Sequence, residues 1–450
     1  MTRKIELLAP AGTLENLKYA CAFGADAVYA GLPRYSLRVR NNDFKNSERV
    51  KLGIDYAHDH NKQFFLALNT MPHGAKQKTF LNDIAPIIDL KPDALIMADP
   101  GMIMLVRERW PDMPVHLSVQ ANTVNSASVK FWQKQGLTRI ILSRELSLNE
   151  IHEIRQECPD IELEVFVHGA LCIAYSGRCL LSGYFNHRDA NQGTCTNACR
   201  WNYNLTEASE TPEGELIPRF DKVDSSSSMD GNYNPHPDAS QSYLMEEVNR
   251  RRGEWMEISE DENGTYIMNS RDLRAIQHVH RLIELGIDSL KIEGRTKSYY
   301  YVARTAQLYR QAIDDTLAGK EFNPELYGKL EGLANRGYTD GFLQRHVPQA
   351  YQNYLNSGSV HSKQQFVAQV ISYDPLTGLA CIEARNHFST GDRLEIVNRF
   401  GNRDIVMGEM KTRRGDVIQS AKGSGYYVYA AIGEVDDMTM LARYLDTPTA

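Results

Sequence analysis

The sequence predicts an α/β protein: a (β/α)8 TIM-like barrel with a cysteine-containing insertion after strand seven, plus a small C-terminal all-β barrel domain. Three observations carry this. Short apolar runs alternate with amphipathic stretches through the first 170 residues. An eighth such run returns only at residues 289–294. From residue 366 the pattern changes to short alternating strands separated by turn signals.

The strand candidates are IELLAP (5–10), AVYAG (27–31), FFLALN (64–69), ALIMAD (94–99), VHLSVQ (115–120), RIILSR (139–144) and LEVFVHG (163–169). Helix-like segments separate them, among them 14–23, 47–60 and 147–157. Ser147-Leu-Asn-Glu150 is a capping box that starts the last of these. Strands that read as continuous apolar runs belong to a parallel sheet covered on both faces. SLKIEG (289–294) supplies the eighth strand, and YYYVARTAQLYRQAIDD after it is helix-like. An open doubly wound sheet is the competing architecture. It is disfavoured because no GxGxxG or GxxxxGK[ST] follows the first strand.

The barrel is expected to span residues 1–346, interrupted by an insertion at 170–270. Within the insertion, 224–240 is a Ser/Pro/Asn-rich acidic stretch that reads as flexible. WNYNLTE (201–207) and GTYIMNS (264–270) are expected to pair as an antiparallel ribbon, and 271–285 to form a helix. Residues 347–365 read as a polar linker. Residues 366–450 form the β domain: FVAQVISYD, a Pro-Leu-Thr-Gly turn, LACIEAR, FSTGDRLEIVN, a basic segment and YYVYAAIG.

No apolar run approaches the roughly 18–20 residues a bilayer span needs. Met1-Thr-Arg-Lys leads directly into the first strand, so no signal peptide is expected and a cytoplasmic location is. The net charge of −7 speaks against a generic nucleic-acid binder. The charge is uneven, however: residues 207–262 hold 15 acidic and 5 basic residues, which leaves the remainder slightly positive.

Four of the seven cysteines, Cys172, Cys179, Cys195 and Cys199, fall in one segment beginning where the seventh strand ends. In a reducing compartment, clustered thiols point to metal or redox chemistry. The spacing C-x6-C-x15-C-x3-C lacks the C-x2-C pairs of zinc ribbons, so an iron–sulfur cluster is favoured and zinc remains the alternative. Arg178, Arg188 and Arg200 lie nearby to stabilise thiolates.

Glu164-x-Phe166-x-x-Gly169-Ala170-Leu171-Cys172, then Gly177-x-Cys179-x-Leu181-Ser182, resembles without departure the signature of the collagenase-like peptidase family numbered thirty-two, of unassigned catalytic type. ELLAPAG, NQGTCTNACRW, SLKIEGR and the C-terminal β domain extend the resemblance over nearly the whole chain. The resemblance implies a 4Fe–4S cluster on Cys172, Cys179 and Cys195, with Cys199 as the fourth ligand. It also implies hydroxylation of an aromatic ring or base without molecular oxygen. In the tRNA branch the product is 5-hydroxyuridine at the wobble position, the first step toward 5-carboxymethoxyuridine, with prephenate as cosubstrate. Partners would then be tRNA, prephenate and an electron-donor protein. The alternatives are a peptidase, in which His168 would serve Cys172 as base, and a noncatalytic RNA-binding accessory protein.

In a parallel barrel, chemistry sits at the strands' C-terminal ends. Those ends hold Tyr29, Asn69, Asp99, Gln120, Asn122, Arg144, Glu145, His168, Glu293 and Arg295. His168, Glu293 and Tyr29 are the catalytic candidates. Arg144, Arg295 and then Lys297 are expected to bind the carboxylates of prephenate. Asn69, Gln120 and Asn122, with the Tyr29 ring, are candidates for holding a splayed-out base. Asn69 and Asn122 equally suit turns, and Glu293 with Arg295 a structural ion pair. Arg34, Arg38 and Arg40, and Lys411, Arg413 and Arg414 in the β domain, are candidates for phosphate contacts.

Overall fold

A computed structural model describes residues 5–36, 42–72, 74–170, 203–210, 216–218, 243–247, 255–261, 264–267, 272–333, 338–344, 364–423 and 425–445. Seven parallel strands run in chain order: β1 (Glu6–Pro10), β2 (Ala27–Gly31), β3 (Gln63–Leu68), β4 (Ala94–Met97), β5 (Val115–Leu117), β6 (Arg139–Ile141) and β7 (Glu162–Ala170). An eighth, Ser289–Ile292, pairs in parallel with both β1 and β7 and so closes the barrel. All eight coincide with the apolar runs of the sequence. Closure excludes the open doubly wound alternative.

The helices that follow the strands are capped by side chains that the sequence supplies locally. They are α1 (Leu14–Ala22), α2 (Ser47–Asp59), α3 (Gly74–Ile88), α4 (Pro100–Arg109), α5 (Ser126–Lys134) and α6 (Leu148–Glu157). Thr13, Asn46, Asp99 and Asn125 accept first-turn amides of α1, α2, α4 and α5. Asp99 is therefore a cap, not a site residue. The Ser147–Glu150 capping box forms in both directions.

Two expectations for the insertion and the segment that follows it are corrected. Residues 271–285 do not form one helix: Asp272–Arg274 is a strand, followed by a 3-10 turn and a short helix, Val279–Glu284. The cause is the length of β7, which at nine residues overruns the four-residue eighth strand. Asp272–Arg274 pairs antiparallel with the overrun, from Ala170 to His168, and satisfies its backbone groups. Among the described residues, the flanking segments of the insertion also do not pair with each other. Tyr203–Glu210 pairs with Tyr243–Glu247, and Gly264–Ile267 with Trp255–Asp261, in one five-stranded sheet.

Residues 364–445 form an eight-stranded sheet whose pairings are antiparallel, closing over its own apolar core. Its first strand, Gln364–Asp374, begins inside the stretch read as linker. The sheet docks on the helix Tyr299–Leu317. Arg304, fully buried, donates to Glu395 at 2.6 Å, and Gln364 and Asn402 complete the Glu395 carboxylate at 2.9 Å each. Phe366 stacks on Tyr300 with centroids 4.8 Å apart.

Candidate active site

The barrel interior is charged where such barrels are usually packed with branched apolar side chains. Arg139 of β6 donates across the barrel to both Glu6 oxygens (2.6 and 3.1 Å), and to Glu164 (3.1 Å) and Glu162 (2.9 Å) of β7. Lys291 of the eighth strand donates to the other Glu164 oxygen at 2.7 Å. Burial lowers the Lys291 pKa, and the Glu164 carboxylate opposes the shift. Burial raises that of Glu6 against the pull of Arg139. His116 of β5, packed edge-on to Phe65, is held neutral by burial and by Arg139 and Lys291.

Lys291 links this column to the C-terminal mouth. Its ammonium lies 4.4 Å from the Tyr29 ring centroid and 5.4 Å from that of Phe166. The Arg144 guanidinium covers the Phe166 ring at 3.8 Å, donates to the Ala170 carbonyl at 2.8 Å and stands 3.6 Å from Glu293. Arg295 lies 5.5 Å from the Tyr29 ring and donates to Ser36 at 2.6 Å. Ser36 in turn donates to Asn69, whose amide reaches Ser118. The Tyr29 hydroxyl donates to the Ile292 carbonyl at 3.0 Å, so its ring is what borders the mouth.

Close backbone approach makes room for this group. A Cβ on Gly12 would lie 1.8 Å from the Arg295 carbonyl oxygen, and one on Gly31 2.4 Å from Arg295 Nη1. Gly169, at φ +103°, lies against the Glu293 carbonyl.

The structure therefore gathers Tyr29, Asn69, Arg144, Glu293 and Arg295, and adds Lys291, Glu164 and Ser36, which the strand-end reading missed. Charged letters inside the strand words ELL, RII, LEV and LKI were the available signal. Gln120 sits in a 3-10 turn capped by Ser118, and Asn122 adopts the left-handed conformation at φ 49° that ends the turn. Asn122 thus shapes backbone. Glu145 is engaged by the Ser143 hydroxyl. Arg34 pairs with Asp83 at 2.9 Å.

His168 and Lys297 lie apart from this group. A bulge shifts register so that Lys291 faces Phe166 but Ile292 faces His168. The extra residue turns His168 off the inward face shared by Glu164 and Phe166. Its ring is buried among Tyr301, Tyr309 and Tyr338, with centroids 5.4–5.7 Å away, and Nδ1 meets the Tyr309 hydroxyl at 3.3 Å. Lys297 rides on the same Tyr301 ring at 5.3 Å. Burial, then Arg274 and Lys297, push the His168 pKa down to about 3. That neutral, enclosed ring is poorly placed to donate a proton to the group gathered at the mouth.

His168 has a consequence for stability. Unfolded chains take up its proton below the ordinary 6.5, whereas the native barrel refuses it down to about 3. The contribution is full above pH 6.5 and falls by about 1.4 kcal/mol per pH unit through that window. His168→Phe is expected to flatten the dependence of unfolding free energy on pH between pH 6 and 4 by about that slope, measured by urea titration. Parallel curves for parent and variant would refute the assignment.

Cys172, Cys179, Cys195 and Cys199 lie outside the described residues, as do Arg38, Arg40, Arg178, Arg188 and Arg200. β7 ends at Ala170 beside Arg144, two positions before Cys172 in the sequence. Among the described residues no three His, Cys, Asp or Glu side chains are grouped to hold a metal ion, and no helix is long and apolar enough to cross a membrane.

A closed parallel barrel with a buried, arginine-lined mouth is an enzyme scaffold of the TIM class, here with a β module docked beside it. Its family is defined by sequence. The chain belongs to peptidase family U32, which residues 12–353 match; residues 362–443 match the peptidase family U32 C-terminal domain. It is 56% identical to the tRNA hydroxylation protein P of Escherichia coli (strain K12), over 95% of this chain and 94% of that one. Identity to the protein of the same name from Haemophilus influenzae is 54%, over 95% and 93%. The 23S rRNA 5-hydroxycytidine C2501 synthase of Escherichia coli is 29% identical, over 95% of this chain and 56% of its own length.

Proposed function

We propose that this chain is a tRNA hydroxylase that forms 5-hydroxyuridine at the wobble position, independently of molecular oxygen and with prephenate as cosubstrate. The observation that carries the tRNA reading is the 56% identity, over nearly the full length of both chains, to a tRNA hydroxylation protein. The similarity to an rRNA hydroxycytidine synthase supports hydroxylation of a pyrimidine in RNA as the reaction class. Such an enzyme works where tRNA is, in the cytoplasm.

Cys172, Cys179, Cys195 and Cys199 would hold a 4Fe–4S cluster, since four thiolates are the donor set such a cluster takes. Bound there, it would supply one-electron exchange, fed by an electron-donor protein. Arg144 and Arg295 would hold the two prephenate carboxylates, with Lys291 adding positive charge beneath them. The Tyr29 ring would stack on the extruded uracil, with Asn69 and Gln120 at its edge. Glu293, beside Arg144, would act as the general base of the site.

The test is nucleoside analysis of tRNA from a strain lacking this gene, together with iron analysis of anaerobically purified protein. The reading expects loss of 5-hydroxyuridine derivatives and about four irons per chain. Unchanged derivatives would overturn the hydroxylase reading. Colourless protein with stoichiometric zinc would overturn the cluster.

A further inference from the structure

The C-terminal sheet has a second face that the barrel chemistry does not use. Its inner face, including Val370, Ile382 and Val428, closes on the module's own core. On the outer face, Tyr429 stands between Cys381 and Lys411 on the neighbouring strands. Tyr427 lies opposite Glu383, which lies opposite Gln369.

This second row reaches the barrel. Gln369 accepts the Tyr299 hydroxyl at 3.0 Å, and Tyr299 opens the helix that follows the eighth barrel strand. Glu15, in the first turn of α1, feels the charges of Arg385 and Glu383. Both helix starts follow strand C-termini, so both belong to the rim of the mouth. The outer face thus begins at that rim and leads away from it.

The exposed groups on this face are of two kinds. Tyr427 is 49% exposed, and Tyr429 half-buried. Arg413 and Arg414 are exposed and have no carboxylate partner among the described residues, and Arg413 is close enough for its charge to act on the Tyr429 phenol. Lys411 shares its charge with Glu409 at 3.1 Å, and Glu383 is paired with Arg385 at the same distance. Asp416, exposed in the same turn, accepts from Thr412 and has no ion-pair partner among the described residues, so two arginines stand against one carboxylate and the balance is positive, although the whole chain is acidic.

We propose that this face carries the tRNA substrate away from the barrel mouth, with Tyr427 and Tyr429 offering ring surface to bases and Lys411, Arg413 and Arg414 contacting phosphates. Rings beside cations are what a nucleic-acid strand requires: stacking tolerates any base, and the cations follow the backbone. The inference rests on the tRNA reading of the barrel.

The test compares the full-length parent with the double variant Arg413→Glu/Arg414→Glu and with Tyr427→Ala. Binding of unmodified tRNA is measured across a salt series. The double variant is expected to bind at least about tenfold more weakly, with a salt slope shallower by about 2. Tyr427→Ala is expected to weaken binding about tenfold with the slope kept. Thermal unfolding should match the parent, because these side chains are exposed. Arg413→Lys/Arg414→Lys should retain most of the affinity. Parental affinity and slope in the charge-reversed protein would overturn this surface while leaving the hydroxylase reading intact. A parent that neither binds nor hydroxylates tRNA would overturn that reading, and this inference with it.

Discussion

Arg139→Met is expected to destabilise the barrel by about 3–5 kcal/mol at pH 7, read as a lower urea midpoint with the slope unchanged. The side chain is only 6% exposed and is the one group joining Glu6, Glu162 and Glu164. Methionine fills similar volume, so the loss comes mainly from carboxylates left inside without their cation. Glu164 keeps Lys291 and Glu6 keeps the Ser289 hydroxyl, which bounds the damage. The cost should also depend on pH in a defined direction. Glu6 already titrates above its ordinary 4.5 in the native barrel because of burial. A carboxyl raised in the folded state holds its proton after the unfolded one has ionised. Its favourable contribution is complete below pH 4.5 and is lost as pH rises through the folded value. Removing Arg139 raises that value further, so the gap between parent and variant should narrow on acidification toward pH 4.5. Arg139→Met combined with Glu6→Gln should recover part of the loss at pH 7 by removing one buried charge. A midpoint at pH 7 equal to the parent's would show that the column contributes nothing.

The barrel strands were legible because each is an apolar run bounded by amphipathic helix, and burial on both faces leaves that imprint locally. The charged column was not. Glu6, Arg139, Glu164 and Lys291 each look like a polar residue near a strand end, and the partners that neutralise them lie 133 and 127 residues away. No local pattern encodes such a pairing. His168 shows a different limit. Strict alternation places it with Glu164 and Phe166, and only the bulge opposite Lys291 and Ile292 turns it outward. A bulge depends on register between strands far apart in sequence. The strand Asp272–Arg274 was misread for the same reason, since its apolar spacing suits a helix and its pairing depends on the overrun of β7. Arg144, Glu293 and Arg295 were legible as strand-end residues, because their positions follow from the strands themselves.

Arg295→Ala is expected to lower turnover at limiting prephenate by about 30- to 1,000-fold, the cost of removing one partner from a buried charge-assisted contact. The prediction follows from the proposed role of Arg295 and from how firmly the fold holds it. Its carbonyl passes over Gly12 and its guanidinium over Gly31, each so close that a Cβ would overlap. Ser36 fixes Nη1 at 2.6 Å, and Tyr29 flanks the group. Such constraint leaves little side-chain entropy to lose when a carboxylate binds. Arg295→Lys keeps the charge but loses the planar fork, so it should recover only part of the activity. Gly31→Ala provides an independent check that leaves the arginine in the sequence. Its Cβ would meet Arg295 Nη1 at 2.4 Å, Ser36 Oγ at 2.5 Å and Ser36 Cβ at 2.9 Å, so both residues must give way at some cost in stability. The fold should survive, the guanidinium should shift, and the KM for prephenate should rise in the same direction as in Arg295→Ala, by a smaller factor. A purely structural arginine would instead lower the melting temperature in all three variants and leave that KM unchanged in the protein that remains folded.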